Sequence, residues 1–145
     1  MGRCSLSIRI RTVSGSEAGE YINRHDISRI KYTNVSDFSY GAPVHTWVVA
    51  EDENTQKLIA VASFYISREN NMDFLDICNV GVDPRYQGAG VASRLIARTF
   101  VIAASGGLTM RVGSFTEEGR RLKNLLQRLS KEHEVDVIYI NDHSS

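Results

Sequence analysis

The stretch Asn79–Ala92 reads NVGVDPRYQGAGVA, and it carries the most information in the chain. Apolar residues typical of a strand lead to Asp83-Pro84, which indicates a tight turn, and a glycine-rich loop then opens a helix. The first N–H groups of a helix have no partner within the helix, and the helix dipole adds positive potential there. The stretch therefore predicts a site for the phosphates of a nucleotide-like ligand.

Two common phosphate-binding motifs do not fit this loop. No Gly-Lys followed by Ser or Thr occurs after Gly88, so a P-loop would lack both its lysine and its magnesium-binding hydroxyl. The dinucleotide fingerprint also fits badly, because Gly88 and Gly90 have no third glycine and the first strand lies far upstream.

The segment resembles the GCN5-related N-acetyltransferases. The signature of that family is Gln or Arg, two residues, Gly, one residue, then Gly or Ala, and residues 87–92 match it as QGAGVA. The preceding Val82–Tyr86 and the following Leu95-Ile96 also resemble the family. The resemblance is specific over residues 72–104 and looser elsewhere.

The resemblance implies that acetyl-CoA lies between two splayed parallel strands. Val80 and Val82 would bind the pantetheine arm through main-chain groups, as an added strand does. The pyrophosphate would sit on the backbone amides of Gln87, Gly88, Ala89, Gly90, Val91 and Ala92. The alternative is a glycine turn that only connects a strand to a helix.

The implied activity is transfer of an acetyl group from acetyl-CoA to a primary amine by direct attack. The acceptor would be the amine of a small molecule or of a protein. The alternative is a regulatory module of the same fold that binds acyl-CoA and catalyses little.

Asp76 is the candidate general base. An amine with a pKa of about 10.4 must lose a proton before it attacks, and Asp76 interrupts an otherwise apolar strand, where burial raises the pKa of a carboxyl group. It also matches the position at which histone-type members of the family carry a catalytic glutamate. The alternative is a buried aspartate that neighbouring donors satisfy, or one that points outward. Asp73 and Asn79 are weaker candidates, Asn79 only for positioning a water molecule.

The proton donor to the leaving thiolate stays open. The family often places a tyrosine on the helix after the parallel strand, and aligning that helix puts Lys123 in its place. Tyr139 and a water molecule remain as alternatives.

Apolar periodicity along the chain predicts a strand, two helices, three strands, a helix, a strand, a helix and a last strand. We expect one α/β domain over residues 1–145, with the mixed GNAT-like sheet that the resemblance implies. That sheet is mostly antiparallel, has one central parallel pair splayed around the cofactor, and carries helices on both faces. Members of the family usually have one further strand, so either the sheet ends early or a second copy covers its edge as a homodimer.

Composition excludes several other classes of protein. The formal net charge of zero argues against a nucleic-acid binder, and no apolar run is long enough to span a membrane. Two cysteines indicate a reducing, cytoplasmic location, and the scattered histidines form no metal-ligand cluster. Tyr32, Phe38, Tyr40 and Trp47 surround the expected acceptor loop, as substrate contacts or as core.

Overall fold

The computed structural model describes residues 7–14, 17, 20–21, 31–32, 46–86, 90–112 and 122–139. The strands are β1 (Ile8–Ser14), β2 (Lys31–Tyr32), β3 (Thr46–Asp52), β4 (Leu58–Glu69), β5 (Met72–Val82), β6 (Thr109–Val112) and β7 (Val137–Tyr139). The helices are α1 (Val91–Gly106) and α2 (Leu122–His133), with a short 3-10 helix at Pro84–Tyr86. Neither α1 nor α2 is long and apolar enough to cross a membrane.

The seven strands form one mixed sheet in the order β1-β3-β4-β5-β6-β7, with β2 paired to β5 outside this path. The pairs β1–β3, β3–β4 and β4–β5 are antiparallel, whereas β5–β6 is parallel. This confirms the predicted mixed sheet with a central parallel pair. The structure adds a second parallel pair, β6–β7, because α2 returns the chain to the same end of the sheet.

The main core lies between the sheet and the two long helices. On α1 the buried side chains recur at helical spacing and include Leu95, Ile96 and Phe100, while α2 buries a stripe of Leu125, Leu126 and Leu129. Gly107 caps the C-terminus of α1 in a left-handed conformation with φ 66°, which glycine adopts without a steric penalty.

A second cluster covers the opposite face of the sheet. Tyr21, which has helical backbone, packs there with Val13, Trp47, Val49 and their neighbours. Both α1 and α2 pack on the main core, and on the opposite face the described residues with helical backbone are 17, 20 and 21. Trp47 is fully buried, which confirms its interpretation as core.

The expectations for β2, for the second helix and for the free edge of the sheet have different outcomes. Tyr32 was expected in a loop, but it belongs to β2, because the free edge of β5 offers unpaired main-chain groups to a passing segment. The second of the two helices expected after the first strand lies outside the described residues, as do Phe38 and Tyr40. A homodimer through β7 stays a prediction.

A buried carboxylate joins the second cluster to β1. Glu51 is 4% exposed and accepts hydrogen bonds from Arg9 Nε and Nη2, at 3.2 and 2.9 Å, and from the Tyr21 hydroxyl. Arg11 Nε lies 3.6 Å from the other carboxylate oxygen. Burial opposes the charge, but the hydrogen bonds from Tyr21 and Arg9 outweigh it and hold the pKa of Glu51 below its usual value.

Glu51→Gln is expected to lower the free energy of unfolding at pH 7 by about 1–2 kcal/mol, since Arg9 is half exposed and solvent screens the pair. The pKa of Glu51 is lowered in the folded state. Its contribution is therefore present above the unfolded glutamate pKa of about 4.3 and is lost as the pH falls through the folded pKa. Urea titrations from pH 7 to pH 3 should show the difference between variant and parent shrinking with acid. Glu132→Gln, at an exposed site on α2, is the control, and an equal loss for both variants at pH 7 would contradict the prediction.

Candidate active site

The parallel pairing of β5 with β6 stops halfway along β5. It runs from Phe74 opposite Thr109 to Ile77 opposite Val112, whereas β5 continues to Val82. We call the end of this pairing, after Ile77 and Val112, the fork. The register between β4 and β5 shifts by one residue at the same level, and such a bulge bends a strand and increases its twist. The second half of β5 therefore leaves an edge that β6 does not cover.

The main-chain groups of Val80 and Val82 face this uncovered edge. Asp83 N donates to Ile59 O at 2.8 Å, so the groups of Asp83 point toward β4. Successive residues of a strand point their N–H and C=O groups to alternate sides. The groups of Val82 and Val80 therefore point away from β4, which is the orientation that the predicted pantetheine contacts require.

β2 occupies the far end of the same edge. Lys31 pairs with Val82 and Tyr32 pairs with Gly81. Residues 78–80 thus lie between the end of β6, at Val112, and the end of β2, at Tyr32, with no described strand beside them on that side. This gap is the open part of the edge.

A compact turn links β5 to the loop. Asp83 is 3% exposed and accepts hydrogen bonds from Arg85 N at 2.9 Å and from Arg85 Nη2 at 2.8 Å, and Asp83 O accepts one from Tyr86 N at 2.8 Å. The side-chain hydrogen bond to Asp83 raises the pKa of Arg85. The turn sets the direction in which the chain enters the loop, a role of Asp83 that the sequence analysis did not assign.

Gly90 is the N-cap of α1 and takes a left-handed conformation, with φ 77° and ψ 14°. Its carbonyl accepts from Arg94 N at 3.2 Å, so helical bonding starts here. The N–H groups of Val91 and Ala92 belong to the first turn and have no acceptor within the helix. Val91 is buried and anchors this turn in the core. Gln87, Gly88 and Ala89 lie outside the described residues.

Asp76 lies beside Arg111 across the β5–β6 pair, just before the fork. Arg111 Nε donates to Asp76 Oδ1 at 2.6 Å and Nη2 donates to Oδ2 at 3.1 Å, while the Ser67 hydroxyl donates to Oδ2 at 2.7 Å. These contacts match the alternative in which neighbouring donors satisfy a buried aspartate. The role of Asp76 as general base stays a prediction.

The sequence analysis did not single out Arg111, although a signal was present. Asp76 is the one charge in the apolar stretch 74–82, and Arg111 is the one charge, of opposite sign, in the stretch 108–112. The two stretches were expected to be parallel neighbours. Such a coincidence predicts a cross-strand ion pair once the register is known.

Tyr139 and Lys123 lie together at the edge of the sheet. Tyr139 on β7 pairs with Val112, and Lys123 Nζ lies 5.3 Å from the centre of its ring. Burial raises the pKa of the Tyr139 hydroxyl, so it keeps its proton at neutral pH. Tyr139 also lines an open cavity of about 570 Å³ between α2 and β7. A role for Tyr139 as the proton donor stays a prediction.

Comparison with known proteins identifies the family. Residues 13–131 match the model of the acetyltransferase (GNAT) family. No curated protein sequence matches the chain.

Solved structures of acetyltransferases share the fold at low sequence identity. Glucosamine-6-phosphate N-acetyltransferase from Arabidopsis thaliana is 20% identical, with a TM-score of 0.57 over 86% of this chain and 90% of that chain. Ribosomal-protein-alanine N-acetyltransferase from Brucella melitensis is 16% identical, with a TM-score of 0.57 over 81% and 89% of the two chains. An aminoglycoside N-acetyltransferase in complex with CoA is 15% identical, with a TM-score of 0.56 over 89% and 90%. The chain therefore belongs to the acetyltransferase (GNAT) family, whose enzymes use acetyl-CoA as the acetyl donor.

Proposed function

We propose that this protein transfers the acetyl group of acetyl-CoA to a primary amine at the fork between β5 and β6. The observation that carries the proposal is the orientation of the Val80 and Val82 main-chain groups. They line an edge that leads through the Asp83 turn to the first N–H groups of α1, which have no acceptor within the helix. A long ligand with an amide-containing arm and a diphosphate matches this order of donors and acceptors.

The described residues fit coenzyme A. Val80 would pair with the arm in the gap between β6 and β2, and the amides of Gly90, Val91 and Ala92 would hold the pyrophosphate together with Gln87, Gly88 and Ala89. The bound cofactor supplies an activated thioester. The left-handed conformation of Gly90 lets the backbone turn sharply into α1 with no side chain between its amide and the ligand.

Direct attack forms the bond between the amine nitrogen and the acetyl carbon as the carbon–sulfur bond breaks, and the nitrogen gives up a proton. The outward N–H of Val80, which lies nearer the fork than Val82, would donate to the acetyl carbonyl oxygen, where negative charge develops. Asp76 is the predicted acceptor of the amine proton, although both its carboxylate oxygens already accept from Arg111. The pH profile of kcat in Asp76→Asn separates these two roles.

The acceptor belongs to the class of primary amines. The three similar structures are named for acceptors as different as a sugar phosphate, an aminoglycoside and a ribosomal protein. A small-molecule amine and a protein amine are both candidates for this chain, so the test needs a panel.

Calorimetry with coenzyme A, followed by transfer of labelled acetyl groups, tests the proposal. We expect saturable binding of coenzyme A and labelling of at least one member of a panel containing glucosamine 6-phosphate, an aminoglycoside, a lysine peptide and a peptide with a free N-terminal alanine. The same compounds with blocked amines are the controls and should stay unlabelled. Absence of coenzyme A binding would contradict the proposal, and binding without transfer to any amine would favour the regulatory module instead.

A further inference from the structure

We propose that Arg111 and Asp76 form a clamp that positions the cofactor-binding edge of β5, and that Asp76 acts through this clamp and not as the general base. The inference rests on the proposed function, because it concerns the same site. It assigns a positioning role to Arg111, a residue outside the loop signature.

The clamp joins three strands. Arg111 projects from β6, and its guanidinium binds Asp76 on β5 through Nε and Nη2. The same group donates from Nη1 to Glu69 Oε1 at 3.0 Å and from Nη2 to Ser67 Oγ at 2.9 Å, both on β4. Its central carbon lies 4.0 Å from the centre of the Phe74 ring. Every guanidinium nitrogen is engaged, so the position of the side chain is strongly determined.

The clamp lies next to the fork, where the pairing of β5 with β6 ends. The pair Asp76–Arg111 is the next to last in the β5–β6 ladder, and the fork follows one residue later. The last pair, Ile77 and Val112, packs into the main core on the opposite face of the sheet. The clamp on one face and the core on the other therefore both hold β5 against β6. Without the clamp the fork has only the short four-pair ladder and the apolar contacts to define its starting point.

The contacts favour a positional role for Asp76 over a catalytic one. Its side chain is 9% exposed, and both of its carboxylate oxygens accept charge-assisted hydrogen bonds from the guanidinium. The hydrogen bonds to Asp76 and Glu69 raise the pKa of Arg111, so the positive charge persists over the working pH range. To accept a proton, Asp76 would have to weaken a charge-assisted hydrogen bond at the moment of reaction.

Arg111→Met keeps the length of the side chain and removes its hydrogen bonds. We expect the dissociation constant of coenzyme A and the KM for acetyl-CoA to rise about tenfold, with the KM for the amine unchanged. Arg68→Met is the matched control, because Arg68 pairs with Asp73 across the β4–β5 hairpin at 3.3 Å but is largely exposed and is not part of the clamp. It should bind coenzyme A as the parent does.

Asp76→Asn and the double variant Asp76→Asn with Arg111→Met separate the two roles. A clamp predicts that each single variant weakens coenzyme A binding alike and that the double variant adds little further loss. It also predicts an unchanged pH profile of kcat. If Asp76→Asn instead kept coenzyme A affinity, lost kcat and removed the acidic limb of that profile, Asp76 would be the base and the inference would be wrong.

Arg111→Lys keeps the inference testable if Arg111→Met does not fold. Lysine retains the charge but lacks the bidentate geometry, so an intermediate loss of coenzyme A affinity is expected. Unchanged affinity in either folded variant would overturn the clamp. Failure of the parent protein to bind coenzyme A would instead overturn the proposed function, so the two failures are distinguishable.

Discussion

Replacing Gly90 with valine is expected to weaken coenzyme A binding by tenfold or more. Gly90 has φ 77°, a left-handed conformation that costs other residues about 1–2 kcal/mol and is most unfavourable for β-branched side chains. A Cβ built at Gly90 would meet no atom within 4 Å, so the effect arises from the backbone and not from a clash. Relief of the strain rotates the first turn of α1 and moves the amides of Val91 and Ala92 away from the pyrophosphate.

Gly107→Val is the matched control for this prediction. Gly107 caps the other end of α1, has φ 66°, and would also have no atom within 4 Å of an added Cβ. Both variants should lose similar thermal stability, but only Gly90→Val should lose affinity in calorimetry with coenzyme A. Equal affinities of the two variants for coenzyme A would contradict a role of the α1 N-terminus in phosphate binding.

Replacing Phe100 with alanine is expected to give the largest loss of stability, about 3–5 kcal/mol. Phe100 is fully buried on α1, and its ring stacks on His133 of α2 with centroids 6.0 Å apart. The change leaves a cavity where α1, α2 and the sheet meet. We expect the melting temperature measured by calorimetry to fall by roughly 10–15 °C.

Val101→Ala provides the comparison for Phe100→Ala. Val101 is the next residue of α1 but is 47% exposed, so its truncation should change stability by no more than about 0.5 kcal/mol. Similar losses for the two variants would mean that α1 does not present the face described above to the sheet.

The sequence predicted the central elements of the fold because their local signals agree with their tertiary environment. Leu58–Phe64 is apolar except for Ser63 and is buried along its whole length. The helix after the loop has an apolar face at regular spacing and ends at two glycines, and α1 occupies that position. β2 was not predicted, since a two-residue strand has no pattern of its own and forms only against the edge that β5 provides.

The candidate site was predicted in part. The main-chain orientation required at Val80 and Val82 follows from the register of β5 against β4, and the sequence motif located both residues. The engagement of Asp76 by Arg111 was not predicted, because it depends on the alignment of two strands that are 35 residues apart in the sequence. The sequence pattern singles out Asp76 but does not indicate that Arg111 is its partner.

The strand β2, Lys31–Tyr32, pairs with the end of β5 on the edge proposed to bind the cofactor. It would therefore compete with the cofactor for part of this edge. Val82 has one outward N–H and one outward C=O, and Lys31 lies opposite them. A ligand that bonds to Val82 must first release this segment, so its apparent affinity equals its intrinsic affinity multiplied by the fraction of molecules in which the segment is detached. Substitutions near residue 31 would thereby tune the sensitivity of the protein to cofactor concentration without touching the phosphate loop.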